Sequence, residues 1–170
     1  MVLYVMRHGE AVEANEDLTD EWRYLTENGI KSAMNVSSNL AKHGRKPRLI
    51  ISSPLVRAVQ TAQIAAAYAC RRNVLIVSGL LQSNGDPGDL QDFLRSHGEA
   101  KRIMLVGHEP QLGLLIAGLL QKEVHFPLKK GSCVALELDN KVPDKPARFI
   151  WYLVPGKKPV TSLKKAFAQK

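Results

Sequence analysis

Short apolar runs alternate with stretches of helical periodicity along this chain. Runs rich in β-branched residues predict buried strands, and apolar positions spaced three and four apart predict amphipathic helices. The predicted strands cover residues 2–6, 48–52, 73–77, 102–106, 133–138 and 148–154. The predicted helices cover residues 30–41, 55–69, 87–97 and 110–121.

The order of these elements predicts the fold class. Alternating strands and helices favour parallel pairing, with helices over both faces of the sheet. Because no helix separates the last two strands, we expect them to pair as a meander or at a sheet edge, which makes the sheet mixed. The 170 residues show no internal repeat or interdomain linker, so one domain is expected. The sequence therefore predicts an α/β protein, a three-layer α/β/α sandwich with a mixed, mainly parallel central sheet.

The formal net charge of +8 is concentrated near the end of the chain. Residues 156–170 contain five lysines and no acid. Without them the charge is about +3, an ordinary value for a domain. We therefore expect a domain over residues 1–155 and a Lys-rich tail over residues 156–170, most simply a solvated, frayed end. Binding of nucleic acid or of an acidic protein by this tail is the less favoured interpretation.

The length of the apolar stretches and the spacing of the cysteines indicate the cellular compartment of the protein. The longest apolar stretch, residues 112–120, is too short to cross a bilayer, so no membrane span is predicted. No basic-then-apolar leader precedes the first predicted strand, which favours a cytoplasmic location. Cys70 and Cys133 have neither metal nor redox spacing and are expected to be reduced, buried thiols.

Arg7, His8 and Gly9 directly follow the first predicted strand. Gly9 permits a sharp turn and a close approach of the backbone to a ligand. In open α/β sheets, ligands bind at the carboxyl ends of the strands. A guanidinium suits phosphate oxygens, and an imidazole can attack phosphorus near neutral pH. These residues indicate a phosphate-handling site, with a solvated turn as the alternative for the motif alone.

Two more strand ends carry residues of the same kind. His108 follows the strand at residues 102–106, and Pro110 is typical of the first position of a helix, whose N-terminus would favour an anion. A second helix is predicted to begin with Ser53 as its N-cap and Pro54 as its first helical residue. Arg57 then lies in the first turn of that helix. Taken alone, His108 is more typical of a structural histidine than of a catalytic one, and Arg57 is typical of a surface ion pair.

The three strand ends together predict one anion-binding crevice, formed by Arg7, His8, Arg57 and His108. Nearby cations disfavour the imidazolium form and should keep His8 neutral at pH 7. Phosphoryl transfer depends mainly on positioning and charge stabilisation, which guanidinium groups supply. A zinc site is disfavoured, because the arginines would repel a cation and no HExxH or paired-cysteine spacing occurs. No metal or organic cofactor is expected.

Three blocks resemble the signatures of the histidine phosphatase superfamily, which is phosphoglycerate mutase-like. They are Arg7-His8-Gly9-Glu10, the run over residues 53–62, and Val106-Gly107-His108. The segment after the first block also resembles the small members of this superfamily, at Asp20, Arg23, Leu25, Thr26 and Gly29. The short chain is most similar to the SixA-type protein-phosphohistidine phosphatases. The resemblance, which covers about residues 1–120, implies that His8 is a transiently phosphorylated nucleophile and that Arg7, Arg57 and His108 bind the phosphoryl group.

One departure from the family pattern concerns the proton donor. Larger members carry a glutamate after the third strand that protonates the leaving oxygen, and here Gln82 stands at about that position. Gln is unsuited to proton transfer. Glu10, Glu109 and Asp86 are the candidate replacements. Acid-phosphatase relatives place a carboxylate just after the second histidine, which favours Glu109, although a helix-capping role for Glu109 is equally expected.

The missing acid favours one substrate class. An alkoxide needs a proton to leave, whereas a phosphorylated imidazole protonated on its other nitrogen leaves as neutral imidazole. We therefore expect the substrate to be a phosphohistidine on a partner protein, such as a phosphotransfer domain. The alternatives are a small sugar- or nucleotide-derived phosphomonoester and, in another class, a non-catalytic anion- or nucleic-acid-binding module that uses the basic tail. A mutase is less expected, because it needs the missing acid and must exclude water.

Overall fold

Six strands form one sheet in the computed structural model, which describes residues 1–43, 46–69, 74–97, 99–139, 142 and 144–168. The strands are β1 (Val2–Arg7), β2 (Leu49–Ser52), β3 (Leu75–Val77), β4 (Arg102–Gly107), β5 (Cys133–Glu137) and β6 (Arg148–Leu153). The helices are α1 (Glu27–His43), α2 (Val56–Ala69), α3 (Pro87–Ser96), α4 (Gln111–Leu120) and α5 (Leu163–Ala166). Among the described residues, no helix has the length and apolarity needed to cross a bilayer.

The strand order is β3-β2-β4-β1-β5-β6. The first four strands in this order are parallel to one another. β5 runs antiparallel to β1, and β6 runs antiparallel to β5. The predicted mixed, mainly parallel sheet is confirmed, and the last two strands pair with each other at its edge as expected.

The central strands of the sheet are buried on both faces. Successive side chains of a strand point to opposite sides. Leu3 and Val5 of β1 pack with residues of α3 and α4, whereas Tyr4 and Met6 pack with residues of α1 and α2. Burial on both sides explains why β1 is a continuous apolar run, as is typical of parallel sheets between helices. The predicted three-layer sandwich is confirmed.

The cysteine prediction is tested at one position. Cys133 is free and fully buried in β5, and its burial raises the pKa of the thiol. Cys70 lies outside the described residues.

Two helices begin later than their prolines predict. α2 begins at Val56 rather than at Pro54, and α4 begins at Gln111 rather than at Pro110. Both prolines lie in the turn that precedes the helix, because their fixed φ is compatible with such turns as well as with a first helical position. α3 begins at Pro87, as predicted.

The C-terminal segment packs on the domain, so the prediction of a frayed tail is wrong for residues 160–167. Val160 forms an antiparallel bridge with Tyr152 of β6. Phe167 stacks on Tyr152 and packs edge-on against Phe126, both at 4.9 Å between ring centroids. The four described lysines of this segment, at positions 157, 158, 164 and 165, are exposed, but the apolar residues between them are half-buried. The prediction was based on the net charge of the segment, which does not reveal the alternation of apolar and charged residues.

Candidate active site

His8, Arg57 and His108 meet at the carboxyl ends of β1, β2 and β4. The chain leaves the adjacent strands β1 and β4 toward opposite faces of the sheet, which is the position at which open α/β sheets bind their ligands. The His8 and His108 ring centroids are 4.8 Å apart. The two histidines and Arg57 are 7%, 3% and 6% exposed, respectively. Within the described residues, no three side chains of His, Cys, Asp or Glu are placed to share a metal ion.

The turn after β1 fixes the tautomer of His8. Its Nδ1 lies 2.6 Å from the Gly9 carbonyl oxygen, which can only accept, so Nδ1 carries the proton and Nε2 keeps its lone pair. The Gly9 amide donates to the Thr61 hydroxyl at 3.1 Å, and that hydroxyl donates to the Arg57 carbonyl at 2.7 Å. A Cβ at Gly9 would lie 2.7 Å from the Gly29 carbonyl oxygen, so only glycine fits this turn.

Both imidazoles are neutral at pH 7. The pKa of His8 is lowered to about 3, with burial as the largest cause and the electrostatic effects of His108, Arg57 and Arg7 acting in the same direction, against a smaller opposing effect of the hydrogen bond to the Gly9 carbonyl. Burial also lowers the pKa of His108 to about 4, with Arg57 as the next cause. The sequence-based expectation that cations keep His8 neutral therefore needs correction. The cations contribute, but loss of hydration is the larger effect.

Arg57 is held by a short 3-10 helix over Asp20–Trp22. Its Nη1 donates to the Asp20 carbonyl oxygen at 2.5 Å, and its Nη2 donates to Asp20 Oδ2 at 2.9 Å. Arg23 donates to the other carboxylate oxygen at 2.9 Å. Hydrogen bonding from Arg57 is the main cause that lowers the pKa of the Asp20 carboxyl. The sequence identified Asp20 only through the family resemblance, not as the partner of Arg57.

Ser53 contacts the second histidine. Its Oγ lies 2.8 Å from His108 Nε2, and its amide donates to the Val106 carbonyl at 2.9 Å. The same hydroxyl accepts a long hydrogen bond of 3.4 Å from the Leu55 amide. The sequence predicted only a capping role for Ser53, because nothing local signals its contact with a residue on another strand.

Arg7 is anchored by the loop before β5. Its Nη1 donates to the Leu128 carbonyl at 2.8 Å, and its main-chain amide donates to the Ser132 carbonyl at 3.0 Å. Within the described part of the chain, the buried Nε of Arg7 has no hydrogen-bond partner. A buried donor without a partner is costly, and the charge of Arg7 also helps to lower the pKa of both His8 and His108.

Two of the candidate proton donors are engaged elsewhere. The Asp86 carboxylate caps α3 by accepting from the Gly88 amide at 2.6 Å. Glu10 is exposed and accepts from the Thr26 hydroxyl at 3.0 Å. Gln82 follows a 3-10 helix over Gly79–Leu81.

Glu109 makes contacts with the same loop that anchors Arg7. Its carboxylate accepts from the Leu128 amide at 3.1 Å and lies 2.9 Å from His125 Nε2. Its side chain is 12% exposed. Within the part of the chain that the structure describes, no side-chain hydrogen bond caps the N-terminus of α4, so the predicted capping role of Glu109 is wrong. The carboxylate instead ties together the segment that carries Leu128.

Comparisons with known proteins place these features in a family. A sequence profile of the histidine phosphatase superfamily (branch 1) matches residues 3–80. An uncharacterized protein of Picosynechococcus sp. (strain PCC 7002) is 33% identical over 140 residues, which cover 80% of this chain and 84% of the relative.

Solved structures show the same fold. The protein histidine phosphatase SixA complexed with tungstate matches with a TM-score of 0.82 and 24% identity, over 91% of this chain and 97% of that chain. Phosphoserine phosphatase of Entamoeba histolytica, in complex with 3-phosphoglyceric acid, matches with a TM-score of 0.66 and 20% identity, over 91% and 98% of the two chains. With the profile match and the bacterial relative, the chain belongs to the histidine phosphatase superfamily (branch 1), and its enzyme class is that of a phosphatase.

Proposed function

We propose that the protein is a phosphohistidine phosphatase, which removes the phosphoryl group from a histidine of a partner protein. The observation that carries the proposal is the state of His8. Its imidazole is neutral, its Nδ1–H is held by the Gly9 carbonyl, and its Nε2 keeps a lone pair beside His108. A nucleophile in this state is ready to attack phosphorus without a base.

The first chemical step exchanges one P–N bond for another. The Nε2 lone pair of His8 attacks phosphorus, and the bond to the substrate imidazole breaks. A substrate ring protonated on its other nitrogen leaves as neutral imidazole. The product on the enzyme is a cationic phosphoimidazole whose Nδ1–H is stabilised by the Gly9 carbonyl. Bonds of the same kind break and form, so the step needs no strong acid.

Water completes the cycle. It attacks phosphorus, and His8 leaves as neutral imidazole with its Nδ1 proton still in place. The two protons of the water end on phosphate and in solvent. Arg7, Arg57 and His108 stabilise the equatorial oxygens in both steps. The buried Nε of Arg7, which has no partner within the described residues, supports this assignment.

The role of His108 requires one tautomer. An oxyanion only accepts hydrogen bonds, so the neutral ring must present an N–H to it. With Nε2 facing the Ser53 hydroxyl at 2.8 Å, the proton belongs on Nδ1, and Ser53 donates to Nε2. The similar SixA structure holds tungstate, a tetrahedral oxyanion, which supports anion binding in this fold.

A small phosphomonoester is the second candidate substrate. Glu109 follows His108 directly and carries a largely buried acidic side chain, which in its protonated form supplies the proton that an alkoxide needs. The similar phosphoserine phosphatase structure holds 3-phosphoglyceric acid, a small phosphorylated acid. The non-catalytic alternative is disfavoured, because the chain belongs to a phosphatase family and its C-terminal segment packs on the domain.

Competing substrates separate the two candidates. We would compare kcat/KM for a phosphotransfer domain phosphorylated on histidine with that for a panel of sugar phosphates and nucleotides. The proposal expects a wide preference for the phosphoprotein. An acid-labile phosphoenzyme should be trapped from the parent and be absent from His8→Ala, which should fold normally but not turn over. A wide preference for an ester would refute the proposal.

A further inference from the structure

The segment over residues 128–132 is bonded to both residues at the end of β1. The Leu128 carbonyl accepts from Arg7 Nη1 at 2.8 Å, and the Ser132 carbonyl accepts from the Arg7 amide at 3.0 Å. The Gly131 amide donates to the His8 carbonyl at 2.9 Å. Gly131 has a φ of +72°, which favours glycine, and a Cβ at this position would lie 3.1 Å from Ser32 Cβ and 3.8 Å from Gly9 Cα. This segment therefore fixes the backbone from which both site residues project.

Tyr152 of β6 holds the same segment through its hydroxyl. The Lys129 amide donates to Tyr152 Oη at 3.0 Å, and Ser132 Oγ lies 3.0 Å from the same oxygen. Ser132 Oγ is also 2.7 Å from the Lys129 carbonyl, which can only accept. The single proton of Ser132 therefore goes to that carbonyl, and Tyr152 donates its own proton to Ser132. With 3% of its surface exposed, Tyr152 makes these bonds away from competing water.

The C-terminal segment in turn fixes Tyr152. Phe167 stacks on its ring at a centroid distance of 4.9 Å and an interplanar angle of 13°. Val160 exchanges two main-chain hydrogen bonds of 2.9 Å with Tyr152. Phe126, two residues before Leu128, packs edge-on against Phe167 at a centroid distance of 4.9 Å. A continuous set of contacts thus runs from residue 167 to the nucleophile.

We propose that Tyr152 is a positioning residue for Arg7 and His8, and that Phe167 acts through it. The proposal rests on the assignment of His8 and Arg7 to the phosphate site. Phosphoryl transfer depends on the placement of the attacking nitrogen and of the guanidinium, and small misplacements reduce its rate strongly. The C-terminal segment is then part of the scaffold of the active site, rather than an appendage.

Tyr152→Phe tests the hydroxyl while keeping the ring stack. Its matched control is Trp151→Phe, at the preceding position of β6, where the side chain packs on Tyr4 on the opposite face of the sheet. We expect Tyr152→Phe to lower kcat for a chromogenic aryl phosphate and to weaken vanadate binding, each by about tenfold. Trp151→Phe should leave both within about twofold, although it also reduces the free energy of unfolding. Equal losses in the two variants, or no loss in Tyr152→Phe, would overturn the proposal.

Phe167 provides a second test that does not depend on the folding of Tyr152→Phe. Phe167→Ala should lower kcat and vanadate affinity, and Phe167→Tyr, which keeps an aromatic ring for the stack, should restore both. Unchanged vanadate affinity in Phe167→Ala would contradict the role of the segment. Vanadate binding needs no turnover, so this result is separate from the choice of substrate. Retained turnover in His8→Ala would instead refute the nucleophile assignment alone.

Discussion

Asp20 accepts two hydrogen bonds from the Arg57 guanidinium, one at its carbonyl and one at its carboxylate, across 37 positions of sequence. The guanidinium is buried, whereas the Asp20 side chain is 55% exposed. The charge of the carboxylate is therefore partly screened by water, and its main effect is to orient the fork of Arg57. Substitutions of Asp20 can separate the effect of orienting Arg57 from the effect of the carboxylate charge.

Asp20→Ala should weaken vanadate binding by about tenfold, because one charge-assisted hydrogen bond that fixes Arg57 is lost. Asp20→Asn keeps an oxygen acceptor and removes a negative charge near an anion, so it should bind vanadate no worse than the parent. Calorimetric titration with vanadate measures both. Glu21→Gln, which removes a charge from the same 3-10 helix, is the control. Parent-like affinity in Asp20→Ala would show that Arg57 does not need this partner.

The sequence predicted the strand ends and the residues on them because both depend on local pattern. The runs that became β1, β2 and β4 are buried on both faces and are therefore continuously apolar. Their ends deliver His8 and His108 to one crevice by the rules of parallel sheets alone. Helix starts were less accurate, since Pro54 and Pro110 fit the preceding turn as well as the first helical position.

The partners that orient the site could not be predicted in the same way. Asp20 and Leu128 lie in connections whose local sequence is typical of solvated loops. Their contacts with Arg57 and Arg7 join residues 37 and 121 positions apart. Phe167 was concealed by the surrounding lysines, because a charge count ignores the apolar positions between charges. Such contacts follow from the tertiary fold and have no local signature.

Ser53→Ala tests the hydrogen bond to His108. The buried Nε2 would lose its partner, so the free energy of unfolding should fall by about 1–3 kcal/mol. The His108 proton would no longer be directed to Nδ1, so vanadate binding should also weaken. Nitrogen chemical shifts of the His108 ring report the tautomer directly. Ser52→Ala, in which the lost hydroxyl bonds only the Ser53 carbonyl among the described contacts, should leave those shifts unchanged. An unaltered tautomer in Ser53→Ala would contradict the assignment.

The buried histidine pair should make the folded state acid-sensitive. Burial lowers the pKa of His8 from 6.5 to about 3 and that of His108 from 6.5 to about 4. Between these values and 6.5 the unfolded chain binds protons that the folded protein does not. The contribution of the two neutral histidines to the free energy of unfolding is therefore fully present above pH 6.5 and is lost as pH falls toward 4. Each imidazole should account for up to about 2 kcal/mol of the loss between pH 7 and pH 5.

Urea denaturation at a series of pH values measures this loss. His8→Asn and His108→Asn should each show a shallower decline from pH 7 to pH 5 than the parent. His43→Asn, at the exposed end of α1, is the control and should follow the parent. A parent whose stability does not change over this interval would show that the histidines are not desolvated.

The role of Glu109 can be decided by the leaving group. An alkyl phosphate needs a proton on its departing oxygen, an aryl phosphate needs it less, and a protonated phosphohistidine does not need it. If Glu109 supplies that proton, Glu109→Gln should reduce kcat for an alkyl ester by about 100-fold and leave phosphohistidine turnover within about threefold. His125→Ala is the matched control, because it removes one contact of the Glu109 carboxylate and keeps the acid. Equal losses on all three substrates would show instead that Glu109 acts by holding Leu128, and through it Arg7, in place. The proposed phosphohistidine activity does not need this carboxylate as an acid, so we expect the alkyl ester to be the poorest substrate of the three and the most sensitive to its loss.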